Sequence, residues 1–97
     1  MPEAVSYEFT GVSDADYAAV SRHLGIAPDT GEGDWPPGML SHAAGTADDG
    51  SFIVSEVWSS REDQAAWEQK LAPALAANGV TAVPRVRWVS LIAHHRT

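Results

Sequence analysis

The chain has 97 residues, with 6 Lys+Arg against 13 Asp+Glu, a formal charge of −7, and 44% apolar residues against 20% charged. That length suits one small domain over 1–97, and the composition is globular rather than disordered. The acidic balance argues against nucleic acid or an anionic membrane as partner, the short apolar runs argue against a spanning helix, and zero cysteines exclude disulfides, thiolate nucleophiles and Cys-based zinc sites.

From Ala4 to Thr10, Val5, Tyr7 and Phe9 alternate with Ser6, Glu8 and Thr10, which predicts a strand that Gly11 breaks. Ser13 stands three residues before Asp16, a capping-box start for a helix carrying Tyr17, Val20 and Leu24 on its apolar face, and Gly25 stops it. Residues 25–38 hold four glycines, three prolines and three acids, which predicts a long loop; Trp35 within it could close over a pocket as part of a mobile lid. Met39 to Thr46 reads as a second strand, Ala47 to Gly50 as a turn and Ser51 to Trp58 as a third strand, together a hairpin. Either Ser59 or Ser60 can cap a helix running to about Ala77, with Trp67, Leu71 and Leu75 as its stripe; Pro73 is expected to kink or split it. Asn78-Gly79 closes that helix, and Pro84 opens a last strand from Arg85 to about His94.

The order βαββαβ predicts a ferredoxin-like α+β domain, a four-stranded antiparallel sheet with two helices on one face. Two helices cannot cover both faces of a sheet. The other face must meet water or another subunit, and it is expected to carry aromatics such as Trp58 or Trp88. A partner sheet, and hence a homodimer, is the expected cover.

Four segments carry a resemblance: Gly11-Val-Ser-Asp-Ala-Asp-Tyr17, Pro37-Gly-Met-Leu-Ser-His-Ala-Ala-Gly45, Val54-Ser-Glu-Val-Trp-Ser-Ser-Arg-Glu62, and Leu71-Ala-Pro-Ala-Leu75 followed by Gly79. Across nearly its whole length the chain resembles the dimeric α/β-barrel superfamily, whose members include antibiotic-biosynthesis monooxygenases and stress-responsive barrel proteins. The resemblance implies two subunits that pair their sheets into a barrel. It also implies a pocket between sheet and helices or within the barrel. The fold hosts many chemistries, so function has to be argued from the site.

His42 is the foremost candidate for chemistry. It is the only histidine in the middle of a predicted strand, among the small residues Ser41, Ala43 and Ala44, and imidazole serves as acid or base near neutral pH. The competing reading is a core histidine hydrogen-bonded to a neighbour. Glu56 interrupts the apolar positions Phe52, Val54 and Trp58, so on a buried face it needs a partner. His42 can be that partner if the turn at 47–50 brings the two to one sheet face; otherwise Glu56 pairs with an arginine at a surface or interface. Tyr7, Trp58, Trp88 and Trp35 are candidate pocket walls, weighed against core or interface packing for the first three and loop anchoring for Trp35. His94 and His95 are adjacent at a strand end and point opposite ways, which does not suit one metal, and His23 fits a helix C-terminus. No metal, nucleotide or flavin motif appears, so no cofactor is expected.

Together with the resemblance, these residues imply a homodimeric enzyme acting on an apolar or aromatic, polyketide-like small molecule without a bound cofactor. The reaction would be oxygenation through a substrate carbanion, or proton transfer such as cyclisation or isomerisation. His42 would be the base and Glu56 its orienting partner. The alternative is a non-catalytic or stress-associated dimer that binds such a molecule. The opening Met-Pro-Glu-Ala lacks the basic start and apolar stretch of a signal peptide, so a cytoplasmic location is expected.

Overall fold

In a computed structural model that describes residues 2–95, six elements follow one another: β1 (Glu3–Phe9), α1 (Asp14–His23), β2 (Met39–Thr46), β3 (Phe52–Trp58), α2 (Arg61–Ala77) and β4 (Arg85–Ser90). The strands form one antiparallel sheet in the order β2-β3-β1-β4, the ferredoxin-like α+β arrangement. Both helix starts follow from local chemistry. Ser13 Oγ accepts the Asp16 backbone N–H while the Asp16 carboxylate takes the Ser13 N–H, a complete capping box. At α2 the cap is Ser60, whose hydroxyl accepts from the Asp63 backbone N–H.

Register decides which side chains meet. Val5, Tyr7 and Phe9 lie opposite Glu56, Val54 and Phe52 of β3, and Val5 and Tyr7 lie opposite Trp88 and Val86 of β4. All of these therefore share the face on which the helices pack. A register shift between Met39 and Ser41 sets Leu40 apart as an extra residue in β2. Because of it, Met39 can pack on the core while His42 also points to the helix side. The core is Val5, Tyr7, Ile26, Trp58 and Trp67, with Phe9, Leu24, Trp35, Met39, Val54 and Trp88 packed around it.

Three expectations are corrected. Helix α2 runs unbroken through Pro73. Both Pro73 and Gln69, whose carbonyl loses its partner, are exposed, so water can satisfy the freed oxygen. Strand β4 stops at Ser90, so His94 and His95 lie in irregular chain beyond it. Trp58 and Trp88 do not stand on the open sheet face. Their register puts them under the helices, Trp58 with no exposed surface and Trp88 beneath the Arg61 guanidinium, 4.5 Å from its ring centre. The open face carries instead small side chains, among them Ala4, Ser6, Ala43 and Ser55, together with Val57, Val89 and Arg87.

The long loop has structure of its own. Ile26 bridges Gly33, the Ala27 N–H donates to the Glu32 carbonyl at 2.7 Å, and the Trp35 indole N–H donates to the Gly31 carbonyl at 2.6 Å. Ile26 is buried in the core, which fastens the base of the loop. Among the described residues no helix is long and apolar enough to cross a membrane.

Candidate active site

The hairpin β2–β3 brings the first two groups together. Its last ladder pair is Thr46 with Phe52, leaving residues 47–51 as the connection, and this register sets His42 directly opposite Glu56. His42 Nδ1 lies 3.1 Å from Glu56 Oε2. The other carboxylate oxygen accepts the Trp58 indole N–H at 3.0 Å. Glu56 is only 5% exposed, and these two donors are what make a buried carboxylate tolerable. Trp58 and Glu56 are two apart on one strand, so they share a face by the pleat itself.

Helix α1 supplies a third group. Tyr17 Oη lies 2.7 Å from His42 Nε2, so the imidazole is held at both nitrogens in a chain Glu56–His42–Tyr17. Tyr17 also leans on Phe52, with ring centres 5.4 Å apart. From the other side, Trp35 reaches out of the long loop to within 4.8 Å of the His42 ring centre, at a 48° tilt. Tyr7 accepts a hydrogen bond from the Gln64 side-chain amide of α2.

These groups stand in the wall of a cavity of about 260 Å³ between the sheet and the two helices. Its sides are Tyr7 and Phe9 of β1, Phe52 and Val54 of β3, Val20 of α1, Trp67 and Leu71 of α2, with Trp35 and Ile26 from the loop. Apolar carbon dominates, and His42, Glu56, Tyr7 and Tyr17 are polar exceptions. Burial pushes the Tyr17 hydroxyl above the usual phenol range; the Ser21 hydroxyl lowers it in part, and the Glu56 charge raises it further. The Tyr7 hydroxyl is pushed up more strongly, by burial first and the Glu56 carboxylate second, against the lowering effect of the Gln64 hydrogen bond. Both phenols therefore stay protonated at neutral pH. The consistent arrangement is Tyr17 O–H donating to Nε2 of a neutral ring whose Nδ1–H donates to Glu56.

Of the residues singled out in the sequence, His42, Glu56, Tyr7 and Trp35 come together at this cavity. Trp58 and Trp88 lie outside its lining: Trp58 holds Glu56 from beneath, and Trp88 packs on the core under Arg61. Sequence reasoning missed two roles. Trp58 as donor to Glu56 was visible in the spacing of two along a strand. Tyr17 carried no local signal, because its contact with His42 joins residues 25 apart through the sheet and helix packing.

No protein-family profile matches the sequence, and no curated protein does. Solved structures do match. A proposed antibiotic biosynthesis monooxygenase from Chloroflexus aurantiacus superposes with a TM-score of 0.68 at 14% identity, over 99% of this chain and 98% of that one. Rv0793 from Mycobacterium tuberculosis gives 0.67 at 18% identity, over 99% and 100%. SnoaB, a cofactor-independent oxygenase from Streptomyces nogalater in a mutant form, gives 0.63 at 14% identity, over 96% and 95%. The chain shares their fold. At such identities the likeness speaks to architecture, the ferredoxin-like fold, and the chemistry has to come from the residues of the site.

Proposed function

We propose that the protein is an enzyme that takes an apolar or aromatic, polyketide-like molecule into the cavity and removes a proton from it without a bound cofactor. The observation that carries this reading is a buried carboxylate–imidazole pair, 3.1 Å apart, in the wall of an apolar cavity. Glu56 orients the His42 ring and stabilises the imidazolium that forms, and His42 is the base. The carbanion left behind is the intermediate that oxygenation by dioxygen, cyclisation or isomerisation all require. The fold shared with a protein described as a cofactor-independent oxygenase supports the oxygenation branch.

The test is turnover and dioxygen uptake with a panel of hydroxylated polycyclic aromatics. His42→Ala is expected to lose roughly a hundredfold or more in rate while still binding, the scale that general-base catalysis supplies. Equal rates in parent and variant would remove His42 from the chemistry. A second reading, binding without conversion, draws on one feature: both His42 nitrogens already have protein partners. It predicts binding with no turnover in either protein.

The reading includes a homodimer in the cytoplasm. The open sheet face presents Ala4, Ser6, Ala43, Val57 and the half-exposed Val89 beside Arg87, a largely apolar surface that a second sheet can cover. Neither nucleic acid nor membrane is a partner in this account, because the chain carries a charge of −7.

A further inference from the structure

A ligand in the cavity finds no free nitrogen on His42, since Nδ1 faces Glu56 Oε2 and Nε2 faces Tyr17 Oη. Tyr17 lines the same cavity. Its hydroxyl has one proton and two lone pairs; the contact with His42 uses one of these three and the Ser21 hydroxyl, as donor, a second, which leaves one for a ligand. We infer that Tyr17 Oη is the atom through which the Glu56–His42 pair meets the ligand, and that its hydrogen-bonding polarity is set by the charge on His42. This rests on the reading of the cavity as a ligand site.

Proton positions follow from the geometry. With the ring neutral, Nδ1–H donates to Glu56 and Nε2 accepts the Tyr17 proton, so Oη shows the cavity a lone pair and accepts from a ligand hydroxyl. With the ring protonated, Nε2–H donates to Oη, and the Tyr17 proton turns to the cavity and donates to a ligand carbonyl or oxyanion. Proton removal then balances as a double transfer. The ligand O–H or C–H bond breaks as its proton joins Oη, and the original Tyr17 proton leaves Oη for Nε2. Tyr17 ends as a neutral phenol, the negative charge stays on the ligand, and the imidazolium stands between that anion and Glu56. Burial of the Tyr17 hydroxyl, which disfavours a free phenolate, agrees with a group that passes a proton on rather than losing one.

The other ionisable groups lining the cavity are Tyr7 from β1, Asp16 from α1 and Glu68 from α2; the loop contributes Trp35 and Ile26, and the β4 side Pro84 and Val86, none of them ionisable. Asp16 is engaged by the Ser13 N–H and Tyr7 by Gln64. Imidazole is the side chain whose charge ordinarily changes near neutral pH, and His42 is the imidazole in contact with Tyr17.

Two probes read the polarity: naphthol, which offers a hydroxyl donor, and acetonaphthone, which offers only a carbonyl acceptor. Calorimetric titrations of parent and Tyr17→Phe between about pH 5 and 8 cover the range in which imidazole changes charge. In the parent, naphthol affinity is expected to rise with pH and acetonaphthone affinity to fall, each by roughly two- to tenfold, the worth of one hydrogen bond. Tyr17→Phe, which keeps the ring packed on Phe52, should bind both probes with neither trend. Opposed trends that persist in the variant would overturn the role of Tyr17 and leave the cavity reading standing. Parent binding of both probes without opposed trends, which needs no variant, would overturn the inference as well. Neither probe binding to the parent would remove the cavity reading and this inference with it.

Discussion

Glu56 is the residue on which the site turns, because a carboxylate 5% exposed stays charged only if its donors hold. Trp58 supplies one of the two, so Trp58→Phe, which removes the N–H and replaces the indole by a smaller phenyl ring, leaves Oε1 without a partner and a fully buried site underfilled. That substitution should destabilise the fold by more than the roughly 1–3 kcal/mol of a buried acceptor left unsatisfied, because lost packing adds to it, as read from urea unfolding. Unchanged stability would mean that water replaces the indole. The two raised phenols make a pH prediction. Unfolded tyrosines lose their protons near pH 10, while Tyr7 and Tyr17 in the folded chain hold theirs to higher pH. The folded state then binds more protons than the unfolded one, so stability is full below about pH 10 and falls as pH rises beyond it. Denaturation midpoints at mildly and strongly alkaline pH should show that fall, and Tyr7→Phe should flatten it. A midpoint indifferent to alkaline pH would refute the burial assigned to both hydroxyls.

Among the elements, the loop over residues 25–38 brings Trp35 and Ile26 to the cavity. Its bridge from Ile26 to Gly33 requires a glycine: Gly33 has φ +147°, and a Cβ there would run into the Gly25 carbonyl oxygen. Gly33→Ala should therefore lose of order 1–3 kcal/mol and free Trp35 from the His42 ring, which a drop in thermal stability and a change in Trp fluorescence would reveal. If the loop closes on ligand, its amide hydrogen exchange slows when the cavity fills, and unchanged exchange under saturating ligand would make it a passive connector. The elements themselves were largely legible in the sequence, because capping serines, period-two strands and the glycine stops are local signals. Pro73 misled, since a proline penalty depends on whether the freed carbonyl can reach water, and that is a property of the packed helix. The end of β4 misled too: alternation continues past Ser90, but the ladder to β1 ends where Glu3 pairs with Ser90.

For the whole molecule, the βαββαβ order predicted the sheet and its helix layer, and the open face followed from having only two helices. Which face the tryptophans take did not follow, because it depends on register across three strands. Likewise, His42 and Glu56 were named as candidates, but their pairing hung on a connection length that only the folded hairpin shows, and Tyr17 was hidden by distance in sequence. The open face makes its own prediction, a dimer in sedimentation at micromolar concentration, and Val57→Asp at its centre should shift the protein towards monomer. A stable parent monomer would leave that face to solvent. The account as a whole stands on Glu56, His42 and Tyr17 being one hydrogen-bonded chain. The most direct test is the ¹⁵N NMR spectrum of the neutral His42 ring in the parent and in Glu56→Gln. The parent ring should carry its proton on Nδ1, facing Glu56, and the variant should lose that fixed tautomer because the charged acceptor is gone. A parent ring protonated on Nε2, or the same ¹⁵N pattern in both proteins, would contradict it.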